Sequence, residues 1–194
     1  EFSLYSGYQS QRTREHYGVD WARMAPHLDF AIAGYGGGAT SIADTLAALG
    51  EVPFMGGEMW YLSDRSDARP TPRYETWRNR LLRQFALSGG HGCLIWYLPP
   101  MDGGAFYATS EAAERIAQHE EFFRAEQRCD GRLRVSGLPE GDWAAFAREG
   151  RVLVMLLNFS DDARTSSVAL GEREVSRTLA PGGADLFILE EAAR

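Results

Sequence analysis

Glu58 closes one apolar run, Phe54-Met55-Gly56-Gly57-Glu58-Met59-Trp60, and a second run, Cys93-Leu94-Ile95-Trp96-Tyr97, ends in an aromatic pair. A carboxylate at the end of a buried strand can attack an anomeric carbon or move a proton at a glycosidic oxygen. Two glycines ahead of it let a bulky ligand approach the backbone. Trp96 offers a flat apolar face on which a sugar ring can stack. In parallel α/β folds such residues meet at the C-terminal ends of the strands, where sites form. Plainer readings stand beside these. Glu58 could be a solvated loop carboxylate, or pair with Arg65 or Arg69. Trp96 and Tyr97 are adjacent on a strand, so one of them must turn to the other face and serve packing.

Other candidates carry weaker signals. Asp102, in Pro99-Pro100-Met101-Asp102-Gly103-Gly104, could bond a sugar hydroxyl or be an ordinary turn residue. Tyr5 and Tyr8 flank the end of the first strand, where they line a cleft, with core packing an equal reading for Tyr5. Gly34-Tyr35-Gly36-Gly37-Gly38-Ala39 matches the G-x-G-x-x-A dinucleotide fingerprint between a strand and a helix. The acidic residue that fingerprint expects after the next strand would have to be Glu58, in a setting crowded with aromatics. His16, His27, His91 and His119 are scattered, without metal or triad spacing, and Ser6 and Ser63 lack a nucleophile-elbow context. All 20 basic residues are arginine, which removes a Schiff-base lysine and a P-loop lysine. The expectation is no metal and no other cofactor.

The elements that must position these residues alternate. Strands are expected over Phe2–Tyr8, Leu28–Ala33, Val52–Met55 and Cys93–Leu98, and helices over Gln11–His27, Thr40–Leu49, Tyr74–Leu87 and Ser110–Phe123, the last capped by Ser110. Asp64–Pro72 reads as a polar loop long enough to cover a site. Four consecutive βα units require parallel strands with right-handed crossovers. After Arg128 the pattern becomes short strands at Leu133–Val135, Trp143–Ala147, Val152–Phe159, Thr165–Leu170 and Ala184–Leu189, separated by Gly, Pro, Asp and Asn. The expected division is therefore residues 1–127, an α/β region, and residues 128–194, a small antiparallel β domain.

Composition sets outer bounds. With 194 residues, 44% of them hydrophobic and 12% aromatic, the chain can bury a substantial core. A net charge of -7 argues against nucleic acid or an anionic membrane as the main partner. No apolar run is long enough to span a bilayer. Cys93 is expected to be a buried thiol, Cys129 lies in a polar stretch, and the two imply no disulfide framework.

With these residues in view, the chain resembles the C-terminal half of a retaining (β/α)8-barrel (TIM-barrel) glycoside hydrolase, of the clan whose two catalytic glutamates end strands 4 and 7. The resemblance covers residues 2–125. The β region that follows, with Val152-Leu153-Val154-Met155-Leu156-Leu157-Asn158-Phe159-Ser160, looks like the β-sandwich that often succeeds such barrels. It implies that the four strands are the barrel's strands 5 to 8 and that Glu58 is the nucleophile. It further implies that Tyr35 ends the strand before it, near the nucleophile, and that Trp96 floors the sugar subsite, with Tyr35, Tyr8, Trp60 and Asp102 as further sugar contacts. Strands 1 to 4 and the acid/base glutamate have no counterpart in the sequence. Retention needs two carboxyls about 5–5.5 Å apart, and a half barrel leaves open edges and an apolar inner face. The implied partners are thus a carbohydrate and the other half barrel, whether a missing segment, a second chain or a homodimer mate. The alternatives are a non-catalytic carbohydrate-binding or assembly module and a dinucleotide-binding βαβ protein.

Overall fold

A computed structural model describes residues 2–34, 39–59, 74–96, 101–124 and 128–191, and for residues 39, 58, 59, 96 and 124 it describes the backbone. The chain is a mixed α/β protein whose described residues form a parallel sheet and two antiparallel sheets. Tertiary contacts divide it into two compact units: Glu1–Pro70 with Gln84–Met101, and Thr71–Arg83 with Asp102–Arg194.

In the first unit, β1 (Ser3–Gly7), β2 (Phe30–Gly34), β3 (Phe54–Met59) and β4 (Cys93–Trp96) form a parallel sheet in the order β1-β2-β3-β4. Between them in the chain come α1 (Gln11–Tyr17), α2 (Trp21–Met24), α3 (Ala39–Leu49) and α4 (Tyr74–Leu87); the residues of α4 up to Arg83 belong to the second unit and Gln84–Leu87 to the first. Leu4, Ala31 and Phe54 stand level in the ladder and meet Trp21, Ile42, Leu49 and Leu87 in one apolar cluster. Trp21 is fully buried, and its indole N–H donates to the Gly7 carbonyl at 2.9 Å, so its polar atom is satisfied as its ring leaves water. Burying a side chain of this kind is worth roughly 1.5–3 kcal/mol. The next row of the sheet, Tyr5, Ile32 and Met55, is only half-buried.

Several expectations need correction here. The helix foreseen over Gln11–His27 breaks at Gly18, which takes φ +66° and donates its N–H to the Arg14 carbonyl. That left-handed cap ends α1, and α2 starts afresh at Trp21, followed by a 3-10 turn over Ala25–His27. The third strand does not end at Met55: it continues through Gly56, Gly57 and Glu58 to Met59, because β4 pairs with Gly56 through Met59. Cys93 is half-buried rather than buried.

In the second unit, β5 (Leu133–Ser136), β8 (Arg164–Leu170) and β9 (Arg173–Leu179) form one antiparallel sheet, and β6 (Trp143–Arg148), β7 (Arg151–Leu157) and β10 (Ala184–Glu190) another. Leu133, Val168 and Leu179 of the first sheet share an apolar cluster with Ala145, Val152, Val154, Leu156 and Leu189 of the second. Leu153, Met155 and Leu157, on the alternate face of β7, are also buried. Both faces of β7 being covered explains its unbroken apolar sequence. The sequence reading missed β9, an edge strand whose Arg173, Glu174 and Arg177 mask a short apolar pattern. It also started the fifth helix too late. That helix, α5 (Gly103–Ala117), is capped by Asp102 rather than Ser110, and α6 (Glu120–Arg124) follows as a separate turn.

His119 lies at that junction, and burial lowers its pKa below the ordinary 6.5, with Glu121 opposing. The folded state therefore binds a proton less readily than the unfolded chain. Stability is unaffected by His119 well above pH ~6.5 and falls as the pH drops through that value toward the lowered folded pKa. Thermal melts at neutral and mildly acidic pH should show that loss in the wild type, and it should shrink in His119→Gln.

Candidate functional site

Glu58 and Trp96 stand at the C-terminal ends of adjacent parallel strands. Glu58 pairs with Ile95, and Met59 pairs with Trp96, so the two residues are one ladder step apart at the same edge of the sheet. Gly34, at the end of β2, lies against Gly57: a Cβ on Gly57 would stand 3.1 Å from the Gly34 Cα. That close approach makes glycine the easy fit at 57. At Gly56 a Cβ would overlap the side-chain amide of Gln84. The two glycines thus admit neighbouring protein atoms. In the ladder, residue 58 has the parity of Phe54 and Gly56, the positions that meet the helices.

Tyr8 follows β1 directly. It is 6% exposed, packs edge-on to Phe54 with ring centroids 6.3 Å apart, and accepts a hydrogen bond from Gln84 Nε2 at 2.8 Å. Its own hydroxyl donates to the Gly57 carbonyl at 3.5 Å. Tyr8, expected as a sugar contact, has its hydroxyl bonded to protein groups. Gln84 escaped that reading altogether. The signal was its place three residues after Leu81 and seven after Trp77, on the apolar stripe of α4. A polar residue at a core position needs a partner, and here it has one.

Asp102 belongs to the other unit. Its carboxylate accepts the Ala105 N–H at 3.0 Å as the cap of α5 and the Tyr74 hydroxyl at 3.0 Å. Tyr35 and Trp60, and the loop Asp64–Pro72, lie outside the described residues, as do Tyr35–Gly38 of the glycine-rich turn. Among the described residues no group of three or more His, Cys, Asp or Glu side chains is arranged to hold a metal ion. Among them, too, no helix is long and apolar enough to cross a membrane.

No known protein family matches the chain, and no curated protein matches it. Among solved structures it is similar to the cyclic alpha-maltosyl-(1→6)-maltose hydrolase of Arthrobacter globiformis in its ligand-free form, at 9% identity and a TM-score of 0.28. That match covers 93% of this chain and 60% of the hydrolase, so the chain spans less than two thirds of its length. A likeness of this size fixes neither fold nor chemistry.

Proposed function

We propose that the chain is the C-terminal half of a retaining (β/α)8 glycoside hydrolase, with β1 to β4 as the last four barrel strands, Glu58 as nucleophile and Trp96 as a sugar platform. Residues 1–127 form the barrel half in this reading, and residues 128–194 an accessory β-sandwich. The observation that supports it is the adjacency of residues 58 and 96 at the C-terminal edge of four parallel strands in chain order. That order also weighs against dinucleotide binding. Doubly wound sheets bind nucleotides where the strand order reverses, and β1 to β4 contain no reversal.

In the reaction, a Glu58 carboxylate oxygen bonds to the anomeric carbon as the leaving oxygen departs with its electron pair. Water then cleaves the glycosyl ester, freeing the sugar and restoring the carboxylate. The acid/base that assists both steps comes from the other half barrel. A dinitrophenyl glycoside bypasses the first need, because dinitrophenolate leaves without a proton. Incubated with dinitrophenyl β-glycosides of glucose, galactose, mannose and xylose, the chain should release a burst of about one dinitrophenolate per molecule and then stall, since unassisted ester hydrolysis is slow. No burst with any of the four would count against the reading.

A further inference from the structure

We infer that Gln84 and Tyr8 are positioning residues that grip β3 just ahead of Glu58; the inference rests on the proposed role of Glu58. Gln84 sits in the last turn of α4, is 2% exposed, and donates through Nε2 to the Tyr8 hydroxyl at 2.8 Å. The Tyr8 hydroxyl in turn reaches the carbonyl of Gly57, the residue before Glu58, at 3.5 Å, the long limit of a hydrogen bond. The same Gln84 amide fills the space that a side chain on residue 56 would need. Both residues preceding Glu58 are therefore touched by one buried polar chain. An apolar residue would pack α4 against the sheet equally well, and a buried amide is costly unless its hydrogen bonds are made. What the amide adds is direction: a satisfied polar network selects one arrangement of its members. The Tyr8 ring is held in turn by its edge-on contact with Phe54. The grip acts on the backbone at 56 and 57, so it fixes where β3 delivers residue 58, and a misplacement of about 1 Å at a reacting group can cost ~100-fold in rate.

The test uses Gln84→Met, which keeps length and loses the donor, Tyr8→Phe, which loses the hydroxyl, their combination, and Gly56→Ala, which evicts the amide. Two readouts are taken on each: amide hydrogen exchange along β1 to β3, and the burst with the dinitrophenyl glycosides. Expected is exchange about tenfold faster at Gly57 and Glu58, with β1 and β2 unchanged. The burst rate constant should fall about 100-fold at an unchanged half-saturating concentration. The double variant should be no worse than either single one, because the two act in series. Unchanged exchange at 57 and 58, exchange accelerating evenly through the sheet with a lowered melting temperature, or additive losses would each overturn the inference. Exchange needs no substrate, so a wild-type chain without a burst would defeat the glycosidase reading while the exchange result still decides the grip.

Discussion

Glu58→Gln will abolish the dinitrophenolate burst while leaving sugar affinity in place. Glutamine keeps the size of the side chain and its capacity to bond a hydroxyl, so binding contacts survive. It has no anionic oxygen with which to form the glycosyl ester. The loss falls on the bond-making step alone, and such a loss lowers the rate constant without raising the half-saturating concentration. A drop of at least about a thousandfold is expected, equivalent to roughly 4 kcal/mol of barrier. Stopped-flow absorbance with the best of the four glycosides measures it, and isothermal titration with the free sugar checks that affinity holds. A burst of near-normal rate would remove Glu58 from the role.

Asn79→Leu will destabilise the antiparallel unit by about 2–4 kcal/mol, because a buried carbonyl and a buried guanidinium lose hydrogen bonds. Asn79 is fully buried. Its Nδ2 donates toward the carbonyls of Asn158 at 3.1 Å, Gly182 at 3.1 Å and Gly183 at 3.3 Å, and its Oδ1 accepts from Arg78 Nε at 3.2 Å and Nη2 at 3.1 Å. Arg78 is itself buried, and burial followed by the charge of Arg115 lowers its pKa, against the opposing charge of Glu111 at 3.5 Å. Leucine matches asparagine in shape but removes the donor to the Asn158 carbonyl and strips two acceptor bonds from a buried guanidinium, while Gly182 keeps Arg78 Nη2 at 2.6 Å and Gly183 keeps the Asn158 N–H at 2.9 Å. For a chain of this size the melting transition of that unit should fall by about 10 °C or more. Calorimetry showing a shift within a degree or two would mean that water or Arg78 takes over the contacts.

The sequence announced the parallel strands and their order because each is a short apolar run followed by a glycine-rich or polar break, and both faces of such runs are expected to be covered. The strand end at residue 58 was misjudged for a physical reason. Glycines read as punctuation, yet Gly56 and Gly57 continue β3 and are small because Gln84 and the Gly34 backbone press against them. Gln84 and Asn79 stayed invisible for the same kind of reason: polar residues on α4 read as solvated until the structure shows them buried with partners. Gly18 illustrates the reverse case, since a glycine inside Gln11–His27 is a visible stop signal and the structure uses it as the left-handed cap of α1. Asp102, expected as a sugar contact or a turn residue, is engaged as a helix cap, a role that an Asp just ahead of a helical run favours.

The measurement that bears most directly on the glycosidase reading is mass spectrometry of the chain after incubation with a fluorinated dinitrophenyl glycoside, whose glycosyl ester hydrolyses too slowly to be lost. The reading predicts a mass gain of one fluorinated sugar per chain, mapped by proteolysis to Glu58 and absent from Glu58→Gln. An adduct on any other residue, or no adduct under conditions where the free sugar binds, would contradict it.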